Sequence, residues 1–171
     1  MKLVKALSLI SLLFLCGSAF SQVRPLHEIH TMMVYNFTKY VQWPDQDKPG
    51  EFVIGVIGND DVYKTLTTWY HGKTKGAKTF AIRKFNNTSE VTECAVIYID
   101  KSKSGEFETV NNKVKGKGTL IVTDRNGFGS KGSCINFKTV DEKLRFELNP
   151  KAIETANLKV SSALTSMAIL I

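Results

Sequence analysis

Residues 52–60 read Phe-Val-Ile-Gly-Val-Ile-Gly-Asn-Asp, and this stretch decides the class of fold. Its first six residues form a continuous apolar run, which is typical of a strand buried on both faces of a parallel sheet. The Gly58-Asn-Asp60 turn then provides a helix cap, and apolar residues recur from Val62 through Leu66 to Trp69 at helical spacing. A buried strand that leads directly into a helix is the first half of a parallel crossover.

The same alternation continues along the middle of the chain. Strands are predicted at Lys78–Phe85, Ala95–Ile99 and Thr119–Thr123, with a helix over Glu106–Val114. An amphipathic helix from His27 to Val41 precedes them all. Strands that alternate with helices predict a sheet covered by helices on both faces.

The last third of the chain departs from this pattern. Ser133–Lys138 and Lys143–Leu148 are predicted to pair as an antiparallel hairpin, and Asn149-Pro150 begins a further helix. A final apolar stretch runs from Ala163 to Ile171. We therefore predict one α/β domain over residues 22–171, with a mixed, mostly parallel sheet, helices on both faces and a C-terminal β-hairpin.

Residues 1–21 have the three parts of a secretory signal. Lys2 and Lys5 supply the positive start, Leu7–Leu15 the short apolar core, and Ala19-Phe-Ser21 a cleavage site that would leave Gln22 as the first mature residue. A lipid anchor on Cys16 is the alternative, but the preceding leucine is bulkier than such sites accept. The sequence thus predicts a periplasmic protein, exported through a cleaved signal peptide.

The chain carries a formal net charge of +7, and nucleic acid is not expected as a partner of an exported protein. Its excess lysines alternate with glycine, threonine and valine in predicted turns, which is typical of a solvated rim. The alternative is a surface that meets anionic lipid headgroups or an acidic partner. These lysines are Lys73, Lys75, Lys78, Lys113, Lys115 and Lys117.

Two cysteines follow the signal, Cys94 and Cys134. An oxidising compartment permits a disulfide between them. Both also lie in apolar strand-like runs, where cysteine serves as a small buried hydrophobic residue. We favour packed thiols and keep the bridge as an alternative.

No motif in the sequence predicts a catalytic centre, a cofactor or a metal site. Gly127–Gly132 fits the spacing of a dinucleotide-binding loop but leads into a strand instead of a helix, so it is predicted to be a turn. His27 and His30 share a helix face, but no third metal ligand is spaced to join them. The candidate walls of a ligand or partner site are aromatic, namely Trp43, Trp69 and Phe128, together with His71.

Runs along nearly the whole mature chain resemble the YfiR family of exported bacterial proteins. The segment from Met33 to Pro44 resembles the family's opening helix with its closing Trp-Pro, and Phe52–Gly58 its first strand. The most specific resemblance is in the C-terminal third, in family order and spacing: Leu120–Asp124, Gly127-Phe128, Gly132, Ile135–Phe137, Arg145–Asn149 and Lys159–Ser162 with Leu164.

The resemblance implies a regulator and not an enzyme. Well-understood members of the family are periplasmic repressors that bind the sensor domain of an inner-membrane diguanylate cyclase and so control cyclic di-GMP and biofilm formation. The partner implied is therefore the periplasmic domain of a membrane protein, with a homodimer left open. The alternative function is a small-ligand-binding or sensory module that acts on another membrane partner, such as a sensor kinase.

Overall fold

The structure, a computed structural model, describes residues 24–171, so the predicted signal peptide and its cleavage site lie outside the described residues. An eight-stranded sheet runs through the molecule in the order β10-β8-β7-β6-β5-β2-β4-β3, and β1 and β9 form a separate two-stranded pair. The strands are β1 (Val41–Gln42), β2 (Gly50–Ile57), β3 (Thr74–Lys75), β4 (Lys78–Phe85), β5 (Val96–Ile99), β6 (Leu120–Thr123), β7 (Ile135–Val140), β8 (Lys143–Leu148), β9 (Lys159–Val160) and β10 (Ile169–Leu170).

Five α-helices connect or flank these strands within the described part of the chain. They are α1 (Leu26–Tyr40), α2 (Asp60–Tyr70), α3 (Phe107–Val114), α4 (Pro150–Thr155) and α5 (Ser162–Met167). Short 3₁₀ turns cover Thr88–Glu90 and Lys101–Glu106. None of the helices in residues 24–171 is long and apolar enough to cross a membrane.

Side-chain caps fix where two of these helices begin. Asn59 Oδ1 accepts a hydrogen bond from the Val62 amide at the start of α2, and Asn149 Oδ1 accepts one from the Ala152 amide at the start of α4. Pro150 follows Asn149 at the first helical position, where its missing N–H costs nothing. Both caps stand where the sequence predicted them.

The sheet is wound in both directions from β2. The chain goes from β2 to β4 on one side and then crosses to β5 on the other, and β5, β6 and β7 run parallel to β2. The hairpin partner β8 is antiparallel to β7, and β10 runs parallel to β8. The carboxyl ends of β2, β5 and β6 therefore meet at one edge of the sheet, which is where open α/β sheets commonly bind ligands.

Helices cover both faces of the sheet. On one face α1 packs over Phe80 and Tyr98 and α2 packs against β4, and on the other face α3 and α4 approach Ile121 and Cys134. Every residue of β5 and β6 is buried, as expected for strands covered on both sides. The predicted α/β class, with its mostly parallel sheet and C-terminal hairpin, is confirmed.

The structure gives the final apolar stretch, which the sequence analysis left without an assigned element, a definite secondary structure. This stretch divides into α5 and the edge strand β10, and the preceding Val160 pairs with Val41. The hairpin turn is also tighter than predicted, because β7 extends to Val140 whereas β8 begins at Lys143 as predicted. Asp141 and Glu142 form that turn with positive φ angles of 48° and 60°, which suit a two-residue hairpin connection.

Candidate functional site

Three polar side chains from three different elements meet below the carboxyl edge of the sheet. The phenol oxygen of Tyr98 lies 3.1 Å from His30 Nδ1 and donates a hydrogen bond to Asp124 Oδ2, also at 3.1 Å. His30 Nδ1 and Asp124 Oδ2 are 4.0 Å apart, with side chains that are only 4% and 7% exposed. When His30 carries its proton on Nδ1, the three groups form one directed chain from imidazole through phenol to carboxylate.

The fold brings these residues together from distant parts of the sequence. His30 lies in the first half of α1, Tyr98 lies in the central strand β5, and Asp124 is the first residue after β6. Phe137 of β7 stacks on the His30 ring, with centroids 4.4 Å apart and planes inclined by 9°. The imidazole is therefore held between an aromatic face and a polar chain.

Burial sets the protonation of the cluster. Desolvation lowers the pKa of His30 from 6.5 to about 4, against a smaller opposing effect of the Asp100 charge. Desolvation, reinforced by repulsion from Asp100, raises the pKa of Asp124 from 3.8 to about 6. The pKa of the Tyr98 phenol is raised far above its ordinary value, again mainly by burial. At neutral pH the cluster therefore holds a neutral imidazole and a protonated phenol beside a carboxylate.

An open cleft of about 600 Å³ lies directly above this cluster. Its walls come from the start of α1, the loops that follow β5 and β6, and the β7–β8 hairpin, which projects beyond the end of β6. The residues that give the cleft its chemistry are His30, Lys101, Asp124, Arg125, Phe137 and Leu144. Asp124 Oδ1 has no hydrogen-bond donor among the described residues, so an acceptor remains unsatisfied in the cleft wall.

A buried hydrogen-bond network supports the hairpin wall of the cleft. Thr123 Oγ1 donates to Asn136 Oδ1 at 2.7 Å, and Asn136 Nδ2 donates to Glu147 Oε2 at 2.9 Å. Lys138, whose stem lines the cleft, closes the network through an ion pair of 2.9 Å with Glu147 Oε1. Because Glu147 is satisfied on both oxygens, the network fixes β6, β7 and β8 in register.

Trp43 and Phe128, two of the aromatic candidates, belong to the core. Each is 7% exposed. Trp43 donates from Nε1 to the Ala95 carbonyl at 3.0 Å and meets Phe52 edge to face, whereas Phe128 meets Phe107 edge to face. Neither side chain lines the cleft above Asp124, and the two lie in separate parts of the core.

Trp69 and His71 lie at the end of α2, away from that cleft. Trp69 is half-buried and packs edge to face against Tyr70. His71 is exposed, and its Nδ1 accepts a hydrogen bond from the Ile82 amide at 3.4 Å. The structure therefore does not unite the four predicted aromatic and histidine candidates into one site.

Cys94 and Cys134 are both buried free thiols in the structure. Burial raises the pKa of Cys94 to about 12 and that of Cys134 to about 11. A thiol with such a pKa holds almost no nucleophilic thiolate at neutral pH. This geometry corresponds to the packed-thiol interpretation favoured from the sequence.

Sequence reasoning named His30 only as a metal candidate beside His27, and it missed Tyr98 and Asp124 as site residues. Within residues 24–171, no three His, Cys, Asp or Glu side chains lie close enough together to hold a metal ion. One signal was available: Asp124 directly follows a buried strand, where the carboxyl edge of a parallel sheet is expected. Nothing in the sequence, however, indicated that α1 would place His30 over that edge.

Comparison with known proteins gives one result that bears on the whole domain. A search of curated proteins found no match to the chain. The family described as YfiR/HmsC-like matches residues 27–169, from the start of α1 to the start of β10. The match includes the cluster, the cleft except for Leu26, and the main sheet up to the first residue of β10, and on this evidence the chain belongs to the YfiR/HmsC-like family.

Proposed function

We propose that this protein is an exported regulator that binds the periplasmic domain of an inner-membrane diguanylate cyclase and holds the enzyme inactive. The observation that carries the proposal is the family match over residues 27–169, because the YfiR/HmsC-like family is known for periplasmic regulation of diguanylate cyclases. Proteins of this family are regulatory and not catalytic.

The mechanism follows from the location of the two proteins. A regulator outside the membrane can change a reaction in the cytoplasm only through a partner that spans the membrane. It must therefore bind the inactive state of that partner more tightly than the active state. A shift in the cyclase population from mostly active to mostly inactive requires a differential affinity of several kcal/mol, about 5.5 kcal/mol for a change from 1:99 to 99:1.

The β10 edge of the sheet offers the apolar surface that such binding needs. Met167, Leu170 and Ile171 are 45%, 53% and 44% exposed, and no residue from 160 to 171 has a charged side chain. The strand β10 pairs with β8 on one side and forms an end of the sheet. An uncharged, apolar edge strand is a natural template for contact with another protein.

The test combines a binding measurement with a cellular one. Wild-type protein is expected to co-purify with a membrane diguanylate cyclase of the same cell, and deletion of its gene is expected to raise cellular cyclic di-GMP. Leu170→Glu is expected to abolish co-purification and to fail in restoring low cyclic di-GMP, because it places a charge on the proposed interface.

Leu26→Glu is the matched control, because Leu26 has the same 53% exposure but lies at the start of α1 beside the cleft. It should leave co-purification with the cyclase intact. A deletion strain with unchanged cyclic di-GMP would contradict the proposed regulation. Equal effects of the two substitutions would contradict the assignment of the β10 edge.

The cleft supports a second function, a sensory module that binds a small ligand. Lys101 and Arg125 line the cleft, and neither forms an ion pair with a carboxylate among residues 24–171. Small organic anions are therefore the first class to screen by thermal shift. A stabilisation that Lys101→Gln reduces would support this function, and no stabilisation by any anion would count against it.

A further inference from the structure

Four side chains form a continuous stack where α1 and α2 meet. The rings of Tyr35 and Tyr70 lie parallel, with centroids 3.8 Å apart and planes inclined by 9°. Lys39 Nζ lies 4.8 Å from the Tyr35 ring centroid, and Lys73 Nζ lies 5.4 Å from that of Tyr70. Trp69 packs edge to face on Tyr70 with centroids 6.2 Å apart. We call these five residues the aromatic–lysine face.

The aromatic–lysine face reaches solvent. Lys39 and Lys73 are exposed, and Tyr35, Trp69 and Tyr70 are each partly exposed. The ring stack alone would be explained by packing between the two helices, but such packing does not require lysines over the rings. The aromatic–lysine face therefore presents two ammonium groups and the edges of three aromatic rings on one surface.

The stretches of chain that carry this face contain basic but no acidic residues. Residues 29–44, which include most of α1, contain no Asp or Glu, and neither do residues 62–89, which include most of α2 and all of β3 and β4. The ion pairs found in residues 24–171 do not involve Lys39 or Lys73. Neither charge is therefore neutralised by a carboxylate of the described residues; Lys39 Nζ donates one hydrogen bond of 2.9 Å, to the neutral Asn36 Oδ1.

Lysine combined with partly exposed Trp and Tyr is the composition found where proteins meet the bilayer interface. Amphipathic aromatic rings settle at the level of the lipid headgroups, and lysines are attracted to anionic lipids. Tryptophan and tyrosine are also frequent at protein–protein interfaces, but lysine is depleted there, whereas an anionic bilayer attracts lysine and accommodates the aromatic rings at the headgroup level. The observations therefore favour a lipid surface over an acidic protein.

We propose that the aromatic–lysine face docks this protein on a bilayer that contains anionic phospholipid. Docking would confine the protein to a membrane surface, with the β10 edge and the cleft on other parts of the molecule. The proposal goes beyond the proposed cyclase regulation and stands or falls separately from it, since it can be tested with protein and lipid alone.

The experiment measures co-sedimentation of the purified protein with vesicles of phosphatidylethanolamine and phosphatidylglycerol. Binding is expected to these vesicles and not to vesicles of phosphatidylcholine alone, and to weaken as the salt rises from about 0.05 to about 0.5 M. Each lysine near an anionic surface contributes about a fivefold increase in partitioning, so Lys39→Gln with Lys73→Gln should reduce binding about 25-fold.

Lys131→Gln with Lys143→Gln is the matched control. It removes the same charge from two exposed lysines elsewhere, one of which also lies over an aromatic ring, 5.0 Å from the Phe128 centroid. The control should bind nearly as well as wild type. Equal losses in the two double variants would show that only net charge matters and would overturn the proposed face.

Tryptophan fluorescence gives an independent readout. The chain has two tryptophans, and Trp43 is only 7% exposed, so a blue shift on vesicle addition would report Trp69. Trp69→Phe should remove the shift while the protein still co-sediments. No binding by wild type, equal binding to phosphatidylcholine, or binding to a poly-glutamate peptide in place of the vesicles would each overturn the proposal.

Discussion

The buried pair of His30 and Asp124 should give opposite pH dependence of stability when one partner or the other is removed. The pKa of His30 is lowered from 6.5 to about 4 on folding. Its contribution to stability is therefore fully present above pH 6.5 and is lost as the pH falls through 4. The pKa of Asp124 is raised from 3.8 to about 6, so its contribution is fully present below pH 3.8 and is lost as the pH rises through 6.

The two contributions are similar in size and opposite in sign. Each pKa shift exceeds two units, which corresponds to about 3 kcal/mol of unfolding free energy at 1.36 kcal/mol per unit. Between pH 4 and pH 6 they should nearly cancel in the wild-type protein. Burial is the leading cause of both shifts, and the charge of neither residue contributes to the shift of the other, so each shift should survive removal of its neighbour.

The assay is urea unfolding of wild type, Asp124→Asn and His30→Gln at several pH values between 4 and 6.5. In Asp124→Asn, His30 is the only one of the two groups that still titrates. The unfolding free energy of this variant should therefore rise with pH by about 3 kcal/mol relative to wild type. In His30→Gln, Asp124 is the group that still titrates. The unfolding free energy of this variant should therefore fall by a similar amount as the pH rises. Asp61→Asn, which neutralises an exposed carboxylate, is the control and should follow the wild type.

An ion pair between charged His30 and charged Asp124 predicts a different result. Either substitution would then remove the same interaction, and the two variants would change with pH in the same direction. That outcome would refute the description of the cluster as a neutral imidazole beside a separately desolvated carboxylate.

Three further predictions concern the core, the thiols and the N-terminus. Trp43→Ala and Phe128→Ala should each lower the unfolding free energy by about 3–5 kcal/mol, since both side chains are buried; unchanged denaturation midpoints would show that they do not pack as described. Cys94 and Cys134 should resist alkylation in the native protein and both react once it is denatured without reductant, and a denatured protein that takes up no reagent on intact-mass analysis would contradict free thiols. The intact mass of the exported protein should correspond to a chain that begins at Gln22, and a diacylated Cys16 would contradict this.

The sequence determined the longer strands and helices because their signals are local. A continuous apolar run marks β2 whatever its neighbours are, and Asn149-Pro150 marks the start of α4 through its own hydrogen bond and fixed φ. Such signals need no knowledge of distant residues. The strand at Lys78–Phe85 accordingly has the predicted bounds in the structure, and the resemblance to the YfiR family rests on the same local patterns.

The tertiary structure alone decided the site and the surfaces. His30 and Tyr98 are 68 residues apart in the chain, and they meet only because α1 packs across the sheet above β5. Periodicity shows that a residue is buried but not which residue it faces, so it could not distinguish His30 in a polar cluster from a histidine in a plain core. The stack of Tyr35 on Tyr70 was hidden for the same reason, because the packing of α1 against α2 sets which side chains meet.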